Sequence, residues 1–267
     1  MPVDLTSVAG FPLALDTGRM TVTTEGGLRL ESLARRMAQM ASVLLEPDAL
    51  PPDAEVYWIS RLYDDRPEAV LDQARLAFAC VLVPPLTIGR EFAKTQGHYH
   101  PAMTGSRMAY PEVYTHYFGR LYLLMQRRVA GRAGHLDDCV LIDMQPGQSV
   151  MVPPGYAHIL INPSDRPALM AGLYSPDFTA DYEPIRSMAG AAYYLVQDNG
   201  ADGTLPNQRY TNSPALRRLT DITGTRFVPP DPYRPLWASL MHDPLRYIIL
   251  TEAAAAQRYF ASEDQQL

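Results

Sequence analysis

Cysteine is scarce in this chain, two residues in 267, and neither a run of lysine or arginine nor an apolar stretch of bilayer length occurs in it. Cys80 and Cys139 both sit inside apolar, strand-like runs. They read as buried thiols in preference to a disulfide or a nucleophile. With no basic cluster, and 29 acidic against 23 basic residues for a net charge of -6, the chain offers no footprint for nucleic acid or an anionic membrane surface. The missing apolar run excludes a helical span. The start, Met1-Pro2-Val3-Asp4-Leu5, has neither the basic nor the apolar region of a secretory signal. A cytoplasmic protein is the expectation. Tandem repeats and low-complexity tracts are missing too.

A length of 267 residues suits one large domain with appendages. Leu28, Leu30, Leu33, Met37, Met40, Val43 and Leu44 recur at helical spacing between Gly27 and Pro47, which predicts an amphipathic helix packed on the outside of the fold. From Val56 to about 197 the pattern is nearly all strand: short apolar runs broken by Gly, Pro, Asn and Asp, as in a double-sheet jelly-roll barrel. Beyond 212 come a rigid Pro229-Pro230-Asp231-Pro232 loop and an alanine-rich helix between Asp243 and Phe260. The expected organisation is an N-terminal helical segment over 1–50, a barrel over 51–212 and a helical C-terminal extension over 213–267.

Chemistry concentrates in two stretches. In Gly97-His98-Tyr99-His100 the histidines lie two apart, so on an extended strand both imidazoles leave one face and grip one cation. The strand Glu112-Val113-Tyr114-Thr115-His116-Tyr117-Phe118-Gly119 then carries a carboxylate and closes at a glycine turn. The second stretch, Gly147 to Asn162, reads G-x5-P-x-G-x2-H-x3-N and places His158 on a strand returning from a Pro-Pro-Gly turn.

These paired patterns resemble the motifs of the cupin superfamily, which implies an all-β cupin double-stranded β-helix. Three histidines and one glutamate make a mixed nitrogen and oxygen shell for one divalent transition ion: iron, manganese, nickel or zinc. Within the superfamily, Ile88-Gly89-Arg90-Glu91-Phe92-Ala93-Lys94-Thr95-Gln96-Gly97-His98-Tyr99-His100, Pro111-Glu112-Val113-Tyr114 and Val152-Pro153-Pro154-Gly155-Tyr156-Ala157-His158 resemble the cupin-type glucose-6-phosphate isomerases of archaea and some bacteria. The resemblance runs from about Tyr57 to about 199. It implies metal ligands at His98, His100, Glu112 and His158, sugar-phosphate contacts at Thr95 and Gly97, and pocket tyrosines at Tyr114 and Tyr174.

Other roles follow from residue chemistry. A phosphate pocket calls for a hydroxyl from Thr95, a backbone N–H near Gly97 and a cationic head, for which Lys94 and Arg90 are candidates. Lys94 and Thr95 cannot both face inward on a regular strand. The hydrogen can pass between C2 and C1 through a cis-enediol or as a hydride shift, and Glu112 is the candidate base for the enediol path. His116 shares strand parity with Glu112 and Tyr114, which makes it a candidate proton shuttle beside the simpler reading of a lining residue.

The leading expectation is a metal-dependent aldose–ketose isomerase acting on glucose 6-phosphate and fructose 6-phosphate, a homodimer with iron among its possible ions. Ala180 stands where the resemblance calls for a histidine, and Val81 and Val83 where it calls for a hydroxyl. An enzyme of the same ancestry acting on a non-phosphorylated metabolite, such as an iron oxygenase or epimerase, and a sugar-binding module are the alternatives left open.

Overall fold

The computed structural model describes residues 1–66, 69–198 and 200–263. Position 199, where the resemblance ends, and positions 264–267, the end of the expected extension, lie outside the described residues, as do 67 and 68.

Two antiparallel sheets face each other as the walls of a barrel. The larger has six strands, in the order Ser149–Val152, Glu112–Phe118, Ala168–Tyr174, Ala77–Val83, Glu55–Asp64 and Leu28–Arg36. The other orders Tyr156–Ile161, Leu121–Arg128, Leu136–Met144 and a parallel edge strand, Arg217–Leu219. This is the all-β cupin barrel expected from the sequence. No helix among the described residues is long and apolar enough to cross a membrane.

The Ala77–Val83 strand shows how the walls work, because every residue in it is buried. Successive side chains leave opposite faces, so Ala79 and Val81 line the interior cavity, while Phe78, Cys80 and Leu82 join a core on the outer face. That outer core is closed by both ends of the chain. The rings of Phe11 and Trp237 lie 5.2 Å apart and stand 5.8 and 5.4 Å from Phe78. Burying such a ring is worth about 2–3 kcal/mol. Cys80 and Cys139 are buried free thiols.

The helix expected between Gly27 and Pro47 does not form. Leu28–Arg36 is instead the edge strand of the large sheet, followed by a single helical turn at Met37–Met40 and a 3₁₀ turn at Ala41–Val43. Leu28 and Leu30 alternate with Arg29 and Glu31 and pair in register with Asp64, Leu62, Tyr63 and Arg61. Ladder pairing with Glu55–Asp64 overrides the weaker helical spacing. Leu33, counted in the apolar stripe, stands 61% exposed on the opposite face. The alanine run does become a helix, Ala253–Glu263.

Candidate metal centre

Gly97 has φ +76°, and a Cβ there would stand 2.5 Å from Cγ1 of Ile159. Only glycine fits that left-handed, crowded position. The turn it makes brings His98 against His158, with which it forms an isolated antiparallel bridge. His100 follows on the same side, and Glu112 opens the neighbouring strand of the large sheet. Ligand-capable atoms of His98, His100, Glu112 and His158 therefore all fall within 4.8 Å of one another.

The four are spaced as donors around a common centre. Nε2 of His98 is 3.2 Å from Nε2 of His100, and Nε2 of both His100 and His158 lie 3.4 Å from Oε2 of Glu112. Nδ1 of His100 donates to the Tyr110 carbonyl at 2.9 Å, which fixes the tautomer and turns the Nε2 lone pair inward. Neither ring nitrogen of His158 has a hydrogen-bond partner, although the residue is 2% exposed. Burial, reinforced by the neighbouring imidazoles, holds His98 and His158 well below the ordinary histidine value. Their rings are thus neutral, as metal ligands must be. An unpartnered buried nitrogen, three imidazoles and one carboxylate fit a divalent transition ion.

Above this cluster lies a cavity of about 220 Å³, small enough to select a single compact metabolite. Thr95, Gly97, Tyr114 and Tyr174 all line it, as expected. The Thr95 hydroxyl accepts from Leu160 N–H at 3.0 Å and keeps its own proton to donate. The Tyr114 hydroxyl bonds the Glu112 carboxylate, and burial together with that negative charge pushes its pKa well up. Burial and Glu112 push Tyr174 up to about 12. Gly172 lies opposite Tyr114 in the ladder. A Cβ there would come within 2.4 Å of Oε1 of Glu112 and 2.6 Å of a Tyr114 ring carbon, so the missing side chain is the notch that receives both.

Two expected site residues are elsewhere. Lys94 is neither in the cavity nor on the surface. Its Nζ pairs with Glu91 at 2.5 Å and donates to the Val43 carbonyl at 2.7 Å, 5.3 Å from the Tyr194 ring centre. Alternation decides this, since Thr95 takes the inward side. His116 is fully buried but outside the cavity, with its ring nitrogens 2.9 Å from the carbonyls of Met144 and Phe118. Burial lowers its pKa against the pull of those carbonyls. It shares the parity of Glu112 but sits roughly 13 Å further along the strand, beside a bulge where pairing skips Tyr117. The candidate shuttle is a scaffold residue.

Among the wall residues outside the sequence-based site are Tyr57, Phe178, Tyr182 and Gly172. Phe178 packs on His100 at 4.2 Å and stacks on Tyr110 at 5.0 Å, and Tyr182 packs on His98 at 5.2 Å. Strand alternation through Tyr57 and Ile59 signals the first; the others sit on a loop and at a register position that composition does not disclose.

A family profile described as glucose-6-phosphate isomerase (GPI) matches residues 34–214. The glucose-6-phosphate isomerase of Thermococcus litoralis is 30% identical over 171 residues, covering 62% of this chain and 80% of that protein. That of Pyrococcus abyssi is 27% identical over 185 residues, covering 67% and 88%. That of Thermococcus kodakarensis is 26% identical over 208 residues, covering 74% and 96%. With more than half its length matched by the profile and the ligand cluster inside the matched span, the chain belongs to the glucose-6-phosphate isomerase family.

Proposed function

We propose that this chain is a metal-dependent aldose–ketose isomerase that interconverts glucose 6-phosphate and fructose 6-phosphate. The observation that carries the reading is the Glu112 carboxylate, whose two oxygens serve different surroundings: Oε2 lies among the histidine nitrogens, and Oε1 lies toward Gly172. His98, His100, Glu112 and His158 hold the ion. Bound there, a divalent ion supplies Lewis-acid stabilisation of charge developing on the substrate oxygens.

The remaining work falls to side chains. Oε1 of Glu112 takes the C2 proton of the open-chain aldose and returns it to C1, while the hydroxyl proton moves from O2 to O1. C1 gains the proton that C2 lost, and the carbonyl shifts from C1 to C2. Tyr114, kept protonated by burial and by Glu112, orients that carboxylate through its hydrogen bond. Thr95 and the backbone at Gly97 contact the sugar phosphate, and Tyr174, Phe178 and Tyr182 shut out water. Iron, manganese, nickel and zinc all suit the donor set, and we assign iron as the ion to test first. Exposed Leu33 on the uncovered edge strand supports pairing of two copies, and two free buried thiols support a reducing, cytoplasmic setting.

The test is conversion of fructose 6-phosphate to glucose 6-phosphate by the purified protein, before and after chelation. Activity that disappears with chelator and returns with iron or manganese is the expected result. A fully metal-loaded protein without turnover in either direction overturns the reading.

A further inference from the structure

A phosphoryl group carries close to two negative charges at neutral pH, yet the cavity wall contains no lysine or arginine among the described residues. One side of it is plainly apolar, with Ile59, Ala79, Val81 and Leu160, and Lys94 is committed to Glu91 outside the barrel. An anion entering such a wall without a counter-charge loses far more hydration than Thr95 and one backbone N–H return.

A cation beside this wall without a carboxylate partner is Arg35. It lies directly opposite Tyr57 in the antiparallel ladder, so its side chain leaves the same face as that cavity-lining tyrosine. Its neighbours on the strand are neutralised: Arg29 pairs with Glu31 and Asp65, and Arg36 with Glu55. Arg35 has no carboxylate within ion-pair distance among the described residues, and its Nε is buried without a hydrogen-bond partner. Its guanidinium hydrogen-bonds the Tyr57 hydroxyl and its charge acts on His98, so with the ladder pairing it stands behind the Tyr57 side of the cavity, just outside the lining itself. Buried polar groups are almost always satisfied, so the Nε–H of Arg35, left without a partner while the guanidinium reaches the Tyr57 hydroxyl, calls for a further acceptor beside the ligand cavity.

We propose that Arg35 is the counter-charge for the phosphomonoester end of the substrate, and hence the residue by which this cavity prefers a sugar phosphate to the neutral sugar. The inference rests on the isomerase reading for its substrate. Reach is the only motion required, since a guanidinium presents several N–H donors in a fork that matches two phosphate oxygens.

The experiment compares the wild-type metalloenzyme with Arg35→Met, which keeps the apolar stem, and Arg35→Lys, which keeps the charge. Turnover of fructose 6-phosphate is measured alongside calorimetric titration with inorganic phosphate, with metal content and melting temperature as controls on folding. Arg35→Met is expected to raise KM about tenfold or more with kcat within about twofold. It should weaken phosphate binding by a similar factor, and Arg35→Lys should recover most of both losses. Unchanged KM and phosphate affinity in Arg35→Met overturn the proposal, as does a loss confined to kcat, which is the mark of an influence through His98 alone. If the wild type turns over no fructose 6-phosphate, the isomerase reading fails, and the phosphate titration still decides the role of Arg35: equal binding by wild type and Arg35→Met, or none by either, overturns it.

Discussion

His158 and His116 are equally shut off from solvent, 2% and 0% exposed, and differ in what their nitrogens meet. Both nitrogens of His116 face main-chain carbonyls at 2.9 Å. No hydrogen bond saturates Nε2 of His158, which points into a cluster of other ligand-capable atoms. A buried polar atom left unpaired costs about 1–3 kcal/mol. Saturation therefore fits a histidine that supports the barrel, and an unsaturated nitrogen among other donors fits one that can take an ion.

Removing ligands tests that contrast with the largest effect. His158→Ala or Glu112→Ala is expected to lower metal affinity more than ~100-fold, beyond what outer-shell changes cost, and to take isomerase activity to background; elemental analysis and the coupled assay read both. Gly172→Ala should come next. Its Cβ displaces Oε1 of Glu112 and the Tyr114 ring, so kcat falls roughly 10–100-fold in a protein that still holds its ion. His116→Leu is expected to cost about 1–3 kcal/mol of stability in urea, because the neutral ring gives up its one N–H bond to a buried carbonyl, while metal stoichiometry and KM stay as they are. Metal loss in that variant would break the comparison.

The smallest effect is a pH dependence. His98 and His158 titrate below their ordinary value of 6.5 in the folded chain, so below that pH the unfolded chain binds protons that the folded chain refuses. Stability of the chelator-treated protein should be full above about pH 6.5 and fall as pH drops toward the depressed folded values. The slope is at most about 1.4 kcal/mol per pH unit for each ring. Denaturation midpoints across pH 5–8 measure it, and a flat profile would mean that His158 is no more constrained than a surface histidine.

The clustering of His98, His100, Glu112 and His158 was legible because strand alternation and glycine turns are local rules: His98 and His100 share a face whatever the rest of the chain does. Thr95 and Lys94 obeyed the same alternation in opposite directions. His116 marks its limit, since parity names a side of the barrel and says nothing of depth along it. The Leu28–Arg36 strand was misread because an edge strand with one exposed leucine mimics a helical stripe, and only its pairing with Glu55–Asp64 separates the two. Arg35 lay hidden in that misreading. Gly172 and Phe178 matter through what stands opposite them in space, a relation composition cannot express.

The collar formed by Phe11 and Trp237 over Phe78 joins two stretches that both fall outside the matched span of 34–214. Each flank is the other's roof. Strip away one, and part of the apolar back of the large sheet is laid open to sticking while the surviving flank keeps its contact with Phe78. Head and tail thus share one apolar seam, and a truncation on either side of the matched span exposes the same aromatic face.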